Sequence, residues 1–461
     1  MIRSLIIGCL VTMLLTMVSC RKFIQVPPPS NSIVTTQVFS DSASAIAGIT
    51  GIYINMWNRG SNTAGSGSVD LYAGASSDEM TGTSTVSFMQ EIDLNNITTT
   101  NSYTQSIWTN AYSYIYDANA CIAGATASSS LSSTVRNRVV GEAKFIRAFM
   151  HFYLVNLYGP VPLVTTTDYN ITGSLPRAST DSIYAQIFLD LHSADSLLTP
   201  DPVPVNRVRV NRYTVSAFLA RVSLFRKQWV DAEKYATRAI GGNYALLNNP
   251  DSVFLNGSVE AIWQLPTASA GYETAVGQII IPYASGVLPQ YVAMPQQVAA
   301  FEAGDKRATR WMKSTVVSGT TWYYPYKYKL GYDNSTTPKE AFMLFRLGEQ
   351  YLIRAEARAQ QGDVSDAASD LNVIRTRAGL PATTAATQPD LLTAVMHERQ
   401  TELCFEWGHR WLDLKRTGTI DAVLGAPGNA KPGWKPTAAL FPIPYTQTQL
   451  NPFLTQNPGY N

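Results

Sequence analysis

Charge is scarce in this sequence. Asp, Glu, Lys and Arg together supply 15% of the 461 residues, the 35 basic residues nearly balance the 33 acidic ones, and no run of Lys or Arg stands out. Proteins that bind nucleic acid through its backbone need clustered cations to neutralise phosphates. The composition therefore argues against a nucleic-acid partner, while a hydrophobic fraction of 45% is enough for a sizeable core.

Cysteine is rare as well. Of four cysteines, Cys9 and Cys20 lie in or beside an apolar N-terminal run, whereas Cys121 and Cys404 lie far apart in stretches with helical periodicity. An export compartment would permit a disulfide between the last two, but buried cysteine commonly packs as a small hydrophobic side chain. We expect two unpaired buried thiols.

Signatures of catalytic and metal sites are also missing from the sequence. It contains no Gly-x-Ser-x-Gly nucleophile elbow, phosphate loop, dinucleotide fingerprint or calcium-loop spacing. His397 and Glu398 begin a zinc-protease pattern that no second histidine completes. Asp305, Lys306 and Arg307 are interpreted as a turn with a local ion pair. We expect neither a metal nor a cofactor.

The N-terminal segment is typical of an export signal. Arg3 precedes an uncharged run from Leu5 to Val18, about 14 residues long, whereas a membrane-spanning helix needs roughly 20. The run ends at Cys20, and the prolines at positions 27–29 prevent a helix from continuing. Two interpretations fit this pattern: a signal peptide with an incidental cysteine, or a bacterial lipoprotein signal that is cleaved before an acylated Cys20.

We favour the lipoprotein signal, because the residues L-T-M-V-S-C that end at Cys20 form a loose lipobox. Two or more acyl chains on one residue make a stable membrane anchor. Residues 1–19 are then the signal peptide, residues 20–34 a lipidated tether, and residues 35–461 a single domain.

Helical periodicity dominates the rest of the chain. The stretch DSASAIAGITGIYINMW begins at Asp41, which can cap a helix, and TVRNRVVGEAKFIRAFMHFYLVNLYG predicts a long helix that ends at Gly159. In SIWTNAYSYIYDANACIAGA, the spacing of Trp108, Tyr112 and Tyr116 predicts a core-facing side. Strand patterns are short and few, and the best are residues 260–265 and 322–329.

Two segments repeat one pattern. When FLARVSLFRKQWVDAEKYATRAI is shifted by 135 positions onto YLIRAEARAQQGDVSDAASDLNVI, Ala220 falls on Ala355 and Ala232 on Ala367. Each segment predicts two antiparallel helices with small residues where they approach, which is typical of tetratricopeptide repeats, although two unrelated hairpins are the alternative. The predicted fold is mainly α: a tetratricopeptide-like helical-repeat scaffold with long irregular loop insertions and a few short strands.

The two predicted insertions, residues 58–101 and 244–340, are rich in Gly, Ser, Thr and aromatic residues. Flat aromatic rings can stack on the C–H faces of sugars, although for any single ring packing in the core is the more common role. WYYPYKYKL is interpreted instead as a strand lying over the scaffold, and Trp411 in RWLDL as a core residue. The candidate ligand-stacking residues are Trp57, Tyr72, Phe88, Tyr272, Tyr283 and Tyr291.

Several long motifs near the C-terminus carry a resemblance to a known family. They are FRLGEQYLIRAEA, LNVIRTRAGL, HERQTELCFEWGHRWLDLKR, and the ending FPIPYTQTQLNPFLTQNPGYN. The chain resembles the SusD/RagB family of outer-membrane lipoproteins from Bacteroidetes, and the resemblance spans the mature chain. No acidic residue closely follows Cys20, so a charge-based surface-export signal is not evident.

The resemblance implies a lipoprotein anchored in the outer membrane and facing the cell exterior. It implies a SusC-like TonB-dependent transporter as partner, and a glycan, or in some members a peptide, as the ligand delivered to it. Many tyrosines and low loop charge favour an uncharged glycan. Contact with the membrane is expected only through the lipid anchor.

Glu398, Glu402 and Glu406 recur every four residues in the C-terminal motif, which predicts that they lie on one helix, and we interpret them as structural. Bare like charges at this spacing repel each other, so cations must meet them, and permanently charged guanidinium groups keep carboxylates ionised and unsuited to acid catalysis. The predicted ion-pair network on these helices comprises Glu398, Glu402, Glu406, Arg410, Asp413, Arg354 and Arg375.

Two competing functions stay open at this point. A surface glycoside hydrolase would need a pair of carboxylates, for which Asp70, Asp78, Glu79, Glu91 and Asp93 are candidates without known geometry. A purely structural lid for the transporter would need no ligand site at all. The leading hypothesis is a binding protein without catalysis.

Overall fold

Helices form most of the structure, a computed structural model that describes residues 38–58, 68–199, 207–266, 273–331, 337–428 and 431–460. The predicted lipidation site Cys20, the signal peptide, the tether and Tyr272 lie outside these residues. The helices are α1 Ser42–Asn58, α2 Ser68–Ser76, α3 Ser87–Asp93, α4 Ser102–Ala127, α5 Ser133–Tyr158, α6 Tyr169–Thr172, α7 Thr180–Leu197, α8 Arg212–Phe225, α9 Trp229–Ile240, α10 Ala275–Ile280, α11 Pro295–Ala299, α12 Lys306–Arg310, α13 Leu347–Gln360, α14 Val364–Ala378, α15 Gln388–Glu402, α16 His409–Arg416, α17 Ile420–Leu424 and α18 Tyr445–Leu450.

Local sequence signals set the ends of the predicted helices. The Asp41 carboxylate accepts the backbone N–H groups of Ala43 and Ser44 and caps α1, as expected. The long helix α5 ends at Gly159, whose φ of 75° lies in the left-handed region that favours glycine. Helices α4, α5 and α7 then pack side by side.

The second half of the scaffold is built from the two predicted hairpins, α8–α9 and α13–α14. Helix α9 packs against α13, and α15 packs against α13 and α14. The paired positions Ala220 and Ala355, and Ala232 and Ala367, are all fully buried where neighbouring helices meet. The mainly helical fold and both hairpins are confirmed, while the tetratricopeptide assignment stays a prediction.

Strands are short in the described part of the chain and pair in antiparallel twos. They are β1 Met80–Gly82, β2 Ala261–Pro266, β3 Tyr291–Ala293, β4 Met312–Val317, β5 Thr320–Pro325 and β6 Ala341–Arg346, paired as β1–β3, β2–β6 and β4–β5. The strand predicted at 260–265 is confirmed. The strand predicted at 322–329 starts earlier and ends at Pro325, which has no N–H to continue a ladder.

The two stretches predicted as irregular insertions contain many of these short elements. Residues 58–101 hold α2, β1 and α3, and residues 244–340 hold all of β2 to β5 together with α10, α11 and α12. Apart from the two strands named above, these elements were not predicted, because elements of three to nine residues are too short to show a clear hydrophobic period.

The core is centred on aromatic side chains of α5. Phe149 packs edge-on against Trp263 and Trp407, with ring centroids 5.2 Å apart in both pairs. Trp411 is fully buried, as predicted, but Tyr116 is 54% exposed. The core assignment of Tyr116 was wrong, because eight residues along a helix rotate its side chain about 80° away from Trp108.

The two cysteines among the described residues lie inside the fold. Cys121 and Cys404 are free and buried, as predicted, and burial raises the pKa of both thiols to about 12.

Among the helices in the described ranges, none is long and apolar enough to span a bilayer.

Candidate functional site

The predicted glutamates converge on a buried cluster of charges, although not on a single helix. Helix α15 ends at Glu402, and Glu406 lies in the following loop, where Phe405, Trp407 and Gly408 have positive φ. The expectation that all three glutamates lie on one helix was wrong. The loop nevertheless turns Glu406 back toward the same interior as Glu402.

Guanidinium groups from distant parts of the chain meet these carboxylates. Glu402 contacts Arg346 and Arg377 and lies 2.9 Å from Arg307. Glu406 lies 2.8 Å from Arg346 and contacts the Lys327 ammonium. These interactions are charge-assisted, and Arg346 makes two contacts of 2.8 Å with Glu406, which fixes the geometry of that pair as well as its charge.

Further carboxylates close the cluster. Glu260, immediately before β2, lies 3.2 Å from Arg346 and 3.0 Å from Arg377. Glu398 lies 2.6 Å from Arg307, and Asp305 pairs with the same guanidinium at 2.8 Å. The local ion pair predicted for Asp305 and Arg307 is therefore confirmed, but Arg307 is also buried and tied to α15. We call this set the ion cluster: Glu260, Asp305, Arg307, Lys327, Arg346, Arg377, Glu398, Glu402 and Glu406.

Neighbouring cations keep two glutamates of the ion cluster ionised. Burial disfavours the charged form, but Arg377 and Arg346 hold the pKa of Glu402 well below its usual range, and Arg346 and Lys327 lower the pKa of Glu406. For Glu398, burial outweighs Arg307 and raises the pKa. Glu402 and Glu406 are thus fixed anions that are unable to act as general acids near neutral pH.

Other members of the predicted network lie in separate pairs. Arg410 binds Asp78 with two contacts of 2.7 Å, so its predicted pairing with the glutamates was wrong. Arg354 likewise pairs with Asp370 at 2.7 Å, as neighbours on adjacent helices. Arg375 joins the cluster edge, 3.3 Å from Glu398.

Asp413 belongs to its own buried pairings. It lies 2.8 Å from Arg399 and 2.7 Å from Arg416, and Arg416 in turn lies 2.6 Å from Glu356. The C-terminal motif therefore supplies two charge clusters rather than one. Spacing along the sequence did not separate them, because the direction of each side chain depends on which helix packs against it.

The carboxylates proposed for hydrolysis are engaged inside the fold. Asp70 accepts the backbone N–H of Trp407, and Glu79 accepts that of Phe405 at 2.6 Å, so both anchor the strained loop after α15. Burial raises the pKa of Asp70 well above its usual range and that of Glu79 to about 8. Asp78 is held by Arg410.

The last two of these carboxylates cap backbone groups near α3. Glu91 accepts the N–H of Thr98 at 3.0 Å, and Asp93 accepts the N–H of Gly82 at 2.8 Å. Within the described ranges, no group of three His, Cys, Asp or Glu side chains is placed to hold a metal ion.

Three of the six aromatic candidates are packed in the core. Trp57, Tyr72 and Tyr291 are 7%, 2% and 1% exposed, so their ring faces are not offered to a ligand and these three predictions were wrong. Tyr72 and Tyr291 lie in α2 and β3, short elements that the sequence did not reveal, whereas Trp57 lies at the end of the predicted helix α1. Packing of these three elements buries the rings. Phe88 is half-buried at the start of α3.

Tyr283 differs from these residues, since it is 90% exposed. It lies in the loop between α10 and β3, and Gly286 of that loop donates its N–H to the Thr315 hydroxyl of β4 at 3.1 Å. The loop is therefore held against the β4–β5 hairpin, so the exposed ring of Tyr283 projects from an anchored segment.

The β4–β5 hairpin exposes apolar side chains of its own. Tyr323 is 42% exposed opposite Ser314, and Val316 is 58% exposed opposite Thr321. Trp322, opposite Thr315, is half-buried. The strand predicted from WYYPYKYKL is real in its first part, but it presents Tyr323 to solvent as well as covering the scaffold.

A third segment joins this surface where β1 ends. Thr83 donates its N–H to Gln290 at 2.9 Å and its hydroxyl to Pro289 at 2.6 Å, which ties residues 83–86 to the loop that carries Tyr283. We call the exposed apolar side chains of these three contacting segments the loop face: Val86, Tyr283, Leu288, Val316 and Tyr323.

Comparison with known proteins shows which family combines this fold and these motifs. A family model described as "SusD family" matches residues 297–460, and one described as "Starch-binding associating with outer membrane" matches residues 22–224. The two matches together cover most of the chain. The chain belongs to the SusD/RagB family.

Curated SusD-like relatives are similar over most of their length. SusD-like protein P2 of Formosa agariphila is 26% identical over 416 residues, which is 78% of this chain and 81% of the relative. Starch-binding protein SusD of Bacteroides thetaiotaomicron is 25% identical over 417 residues, with 71% and 74% coverage.

Solved SusD structures share the fold. A SusD superfamily protein from Parabacteroides distasonis aligns with a TM-score of 0.78 at 24% identity, covering 91% of this chain and 99% of that one. A structure described as a laminarin binding SusD-like protein aligns with a TM-score of 0.75 at 24% identity and the same coverage.

Sequence reasoning missed most of the cations that hold the ion cluster together. Arg346 and Lys327, which were not among the predicted cations, are buried at the end of β6 and after β5, whereas Arg377 was expected to lie on a neighbouring helix. Arg346 falls inside the motif FRLGEQYLIRAEA quoted above, and that membership was the available signal. Lys327 carried no such signal.

Proposed function

We propose that this protein captures a glycan at the cell surface and delivers it to a SusC-like TonB-dependent transporter of the outer membrane, without catalysing a reaction. Acylated Cys20 anchors it, and the proline-containing tether lets the domain sit over the barrel. The glycan is an oligosaccharide or polysaccharide nutrient.

The loop face is the observation that carries this proposal. Exposed tyrosine rings offer flat apolar surfaces to the C–H faces of sugars while their hydroxyl groups stay available for hydrogen bonds. Tyr283 and Tyr323 are both exposed in segments that hydrogen bonds fix to one another. Single scattered apolar residues are normal on a protein surface, and the grouping of five in contacting segments is what supports an interaction site here.

The nature of the neighbouring polar groups supports a sugar ligand. Residues 281–290, IPYASGVLPQ, contain no charged side chain, and residues 83–88, TSTVSF, contain none either. Hydroxyl and amide groups can pair with sugar hydroxyls without the cost of desolvating an ion. The family description naming starch and a structural neighbour that binds laminarin support the same ligand class.

The placement of the carboxylates supports binding without hydrolysis. A glycosidase needs two carboxyl groups that flank the bond to be cut. Glu402 and Glu406 are buried and fixed by arginines, and the five acids between positions 70 and 93 accept hydrogen bonds within the fold. None of these carboxylates belongs to the loop face.

The test is affinity electrophoresis of a form of the chain that begins at Arg21, in gels containing laminarin, starch and other polysaccharides, with released reducing sugar measured on the same mixtures. We expect retardation by at least one polysaccharide and no release of sugar. Tyr283→Ala should weaken binding about 2- to 10-fold, since one aromatic contact contributes roughly 0.5–1.5 kcal/mol.

Tyr116→Ala is the matched control, because Tyr116 is exposed on the scaffold helix α4 rather than on the loop face. It should bind as the unaltered protein does. Release of reducing sugar would instead support the hydrolase, and retention on peptides alone would support the peptide-binding alternative. Co-purification of the full-length lipoprotein with an outer-membrane transporter tests the partner.

A further inference from the structure

A cleft lies at the other end of α3 from the loop face. It has a volume of about 380 Å³ and is formed where residues 95–99, which follow α3, meet residues 435–438 and the C-terminal Gly459 and Tyr460. That size is at the lower end of the range typical of small-molecule sites, about 300–1,000 Å³. The charge clusters described above do not reach it.

Four of the polar side chains that line this cleft are free to bind a ligand. Within the described ranges, the side chains of Asn96, Thr99, Lys435 and Thr437 make no hydrogen bond or ion pair with the protein. Two other side chains of the lining are engaged within the fold, since the Thr98 hydroxyl donates to Glu91 and the Asn95 amide donates to the carbonyl of Ser76. The cleft therefore presents amide, hydroxyl and ammonium groups whose hydrogen-bonding capacity is unused.

An aromatic wall accompanies these polar groups. The Tyr460 hydroxyl donates to the carbonyl of Leu440 at 2.6 Å, which holds its ring in place. Tyr445 is 50% exposed, and its N–H donates to the carbonyl of Thr99 at 2.8 Å, so a second aromatic residue lies beside the cleft. A fixed ring surrounded by unpaired polar donors and acceptors is the chemistry that recognises a sugar.

Gly459 allows the two walls to approach closely. Its φ is +89°, and an added Cβ would lie 2.5 Å from the Thr437 hydroxyl oxygen. A larger residue here would push Thr437 away, because that distance is far below any ordinary contact. The absence of a side chain at Gly459 therefore allows the C-terminal backbone to lie close to Thr437 and form one wall of the cleft.

An exposed stripe along α3 connects the cleft to the loop face. Val86, Gln90 and Leu94 are exposed and spaced by four residues, so they lie along one side of the helix. With a rise of about 1.5 Å per residue, Val86 and Leu94 are separated by roughly 12 Å. That distance suits an oligosaccharide rather than a single sugar.

We propose that the cleft is a second glycan subsite, which holds one end of a saccharide chain whose other end lies on the loop face. This inference rests on the proposed function and extends it, since it makes the ligand an extended chain rather than a short fragment. The occupant of the cleft is one or two sugar rings. The stripe on α3 carries the chain between the two subsites.

The test measures saccharides of increasing length by titration calorimetry with the full mature chain. The probes are laminari-oligosaccharides and malto-oligosaccharides of three and of six to eight sugar units. The variants are Asn96→Ala/Lys435→Ala for the cleft, Tyr283→Ala for the loop face, and Lys234→Ala as an exposed lysine on α9 far from both.

We expect the unaltered protein to bind the longer chains about tenfold or more tightly than the trisaccharide. The cleft variant should lose about 5- to 20-fold in affinity for the longer chains and bind the trisaccharide unchanged, which corresponds to two hydrogen bonds of ordinary strength. Lys234→Ala should match the unaltered protein throughout, and melting temperatures should not differ.

Two other outcomes overturn the proposal and are distinguishable. If Tyr283→Ala weakens every saccharide while the cleft variant binds all lengths normally, the cleft is not a subsite and the proposed function still stands. If the unaltered protein binds no saccharide of any length, the proposed function fails, and the cleft proposal with it.

Discussion

The ion cluster and the loop face use aromatic and charged residues in opposite ways. In the ion cluster, Arg346 and Arg377 are buried beside Trp311, and their charges are matched by carboxylates at short range. On the loop face, the side chains of Tyr283 and Tyr323 are exposed to solvent rather than packed within the fold. The charged groups of the ion cluster join distant parts of the chain, whereas the exposed rings of the loop face are available to a ligand.

The contrast shows why similar sequence patterns lead to different roles. The cluster ties β6, α14, α15 and the loop after α15 to α12 and to the residue before β2, so most of its charges have more than one partner. Buried charges must be paired, because an unpaired one carries a large desolvation penalty. An exposed tyrosine carries no such penalty and can be changed freely as the ligand changes.

Removal of a charge from the ion cluster should have the largest effect. Glu402→Ala removes one of the two carboxylates that Arg346 and Arg377 share, the other being Glu260, and it also takes a partner from buried Arg307. Loss of one partner of a buried ion pair costs about 3–5 kcal/mol. We expect a strongly lowered melting temperature or poor expression, measured by thermal denaturation.

Lys234→Ala provides the matched comparison for that variant. Lys234 is 63% exposed and lies 3.9 Å from Asp231 on the same helix. Exposed pairs of this kind contribute about 0–1 kcal/mol, so its melting curve should barely move. Equal stability of the two variants would show that the cluster does not hold these helices together.

A pH effect of intermediate size should come from Glu79, the acid that anchors the loop after α15. Burial raises its pKa from 4.5 to about 8 in the folded protein. An acid whose pKa is raised by folding stabilises the folded state at low pH and loses that contribution as pH rises from about 4.5 to 8, by up to about 1.4 kcal/mol per pH unit.

Glu79→Gln removes this titration while keeping an oxygen that can accept the N–H of Phe405. The melting temperature of the variant relative to the unaltered protein should therefore increase as pH is raised from 5 to 8. Glu302→Gln is the control, since Arg375 lowers the pKa of Glu302 and no change is expected in that window. A pH-independent difference for Glu79→Gln would contradict the buried, proton-binding carboxyl.

The smallest effect on stability should come from the loop face. Tyr323→Ala removes an exposed ring from β5, and surface substitutions of this kind usually change stability by less than about 0.5 kcal/mol. We expect an unchanged melting temperature together with weaker polysaccharide retardation. A clear loss of stability would mean that the ring supports the hairpin rather than the ligand.

Long periodic segments could be predicted from sequence, and short elements could not. Helices α4 and α5 have 26 residues each, enough to show their period and their caps, and the hairpin positions around Ala220 and Ala355 were recognisable by their small residues. Tyr72 and Tyr291 were misjudged because α2 and β3 are only nine and three residues long. Their burial depends on neighbours far away in the chain.

The candidate site, like the fold, could be predicted from the sequence only in part. The sequence was sufficient to place Tyr283 in a non-helical segment suited to sugars, but not to separate it from five other aromatic residues. That separation depends on contacts such as Gly286 with Thr315 and Thr83 with Gln290, which join segments more than 200 residues apart in the second case. Exposure is a property of packing, so it has no local signal.

By itself, the sequence determined the family, the mainly helical scaffold, the free thiols and the presence of a C-terminal charge network, because long motifs and helical periods are written in consecutive residues. The tertiary structure alone decided which arginine meets which glutamate and which tyrosines face solvent. Glu402 illustrates the reason: its partners Arg307, Arg346 and Arg377 lie 95, 56 and 25 residues away, and only the packing of separate helices and strands brings them to one carboxylate.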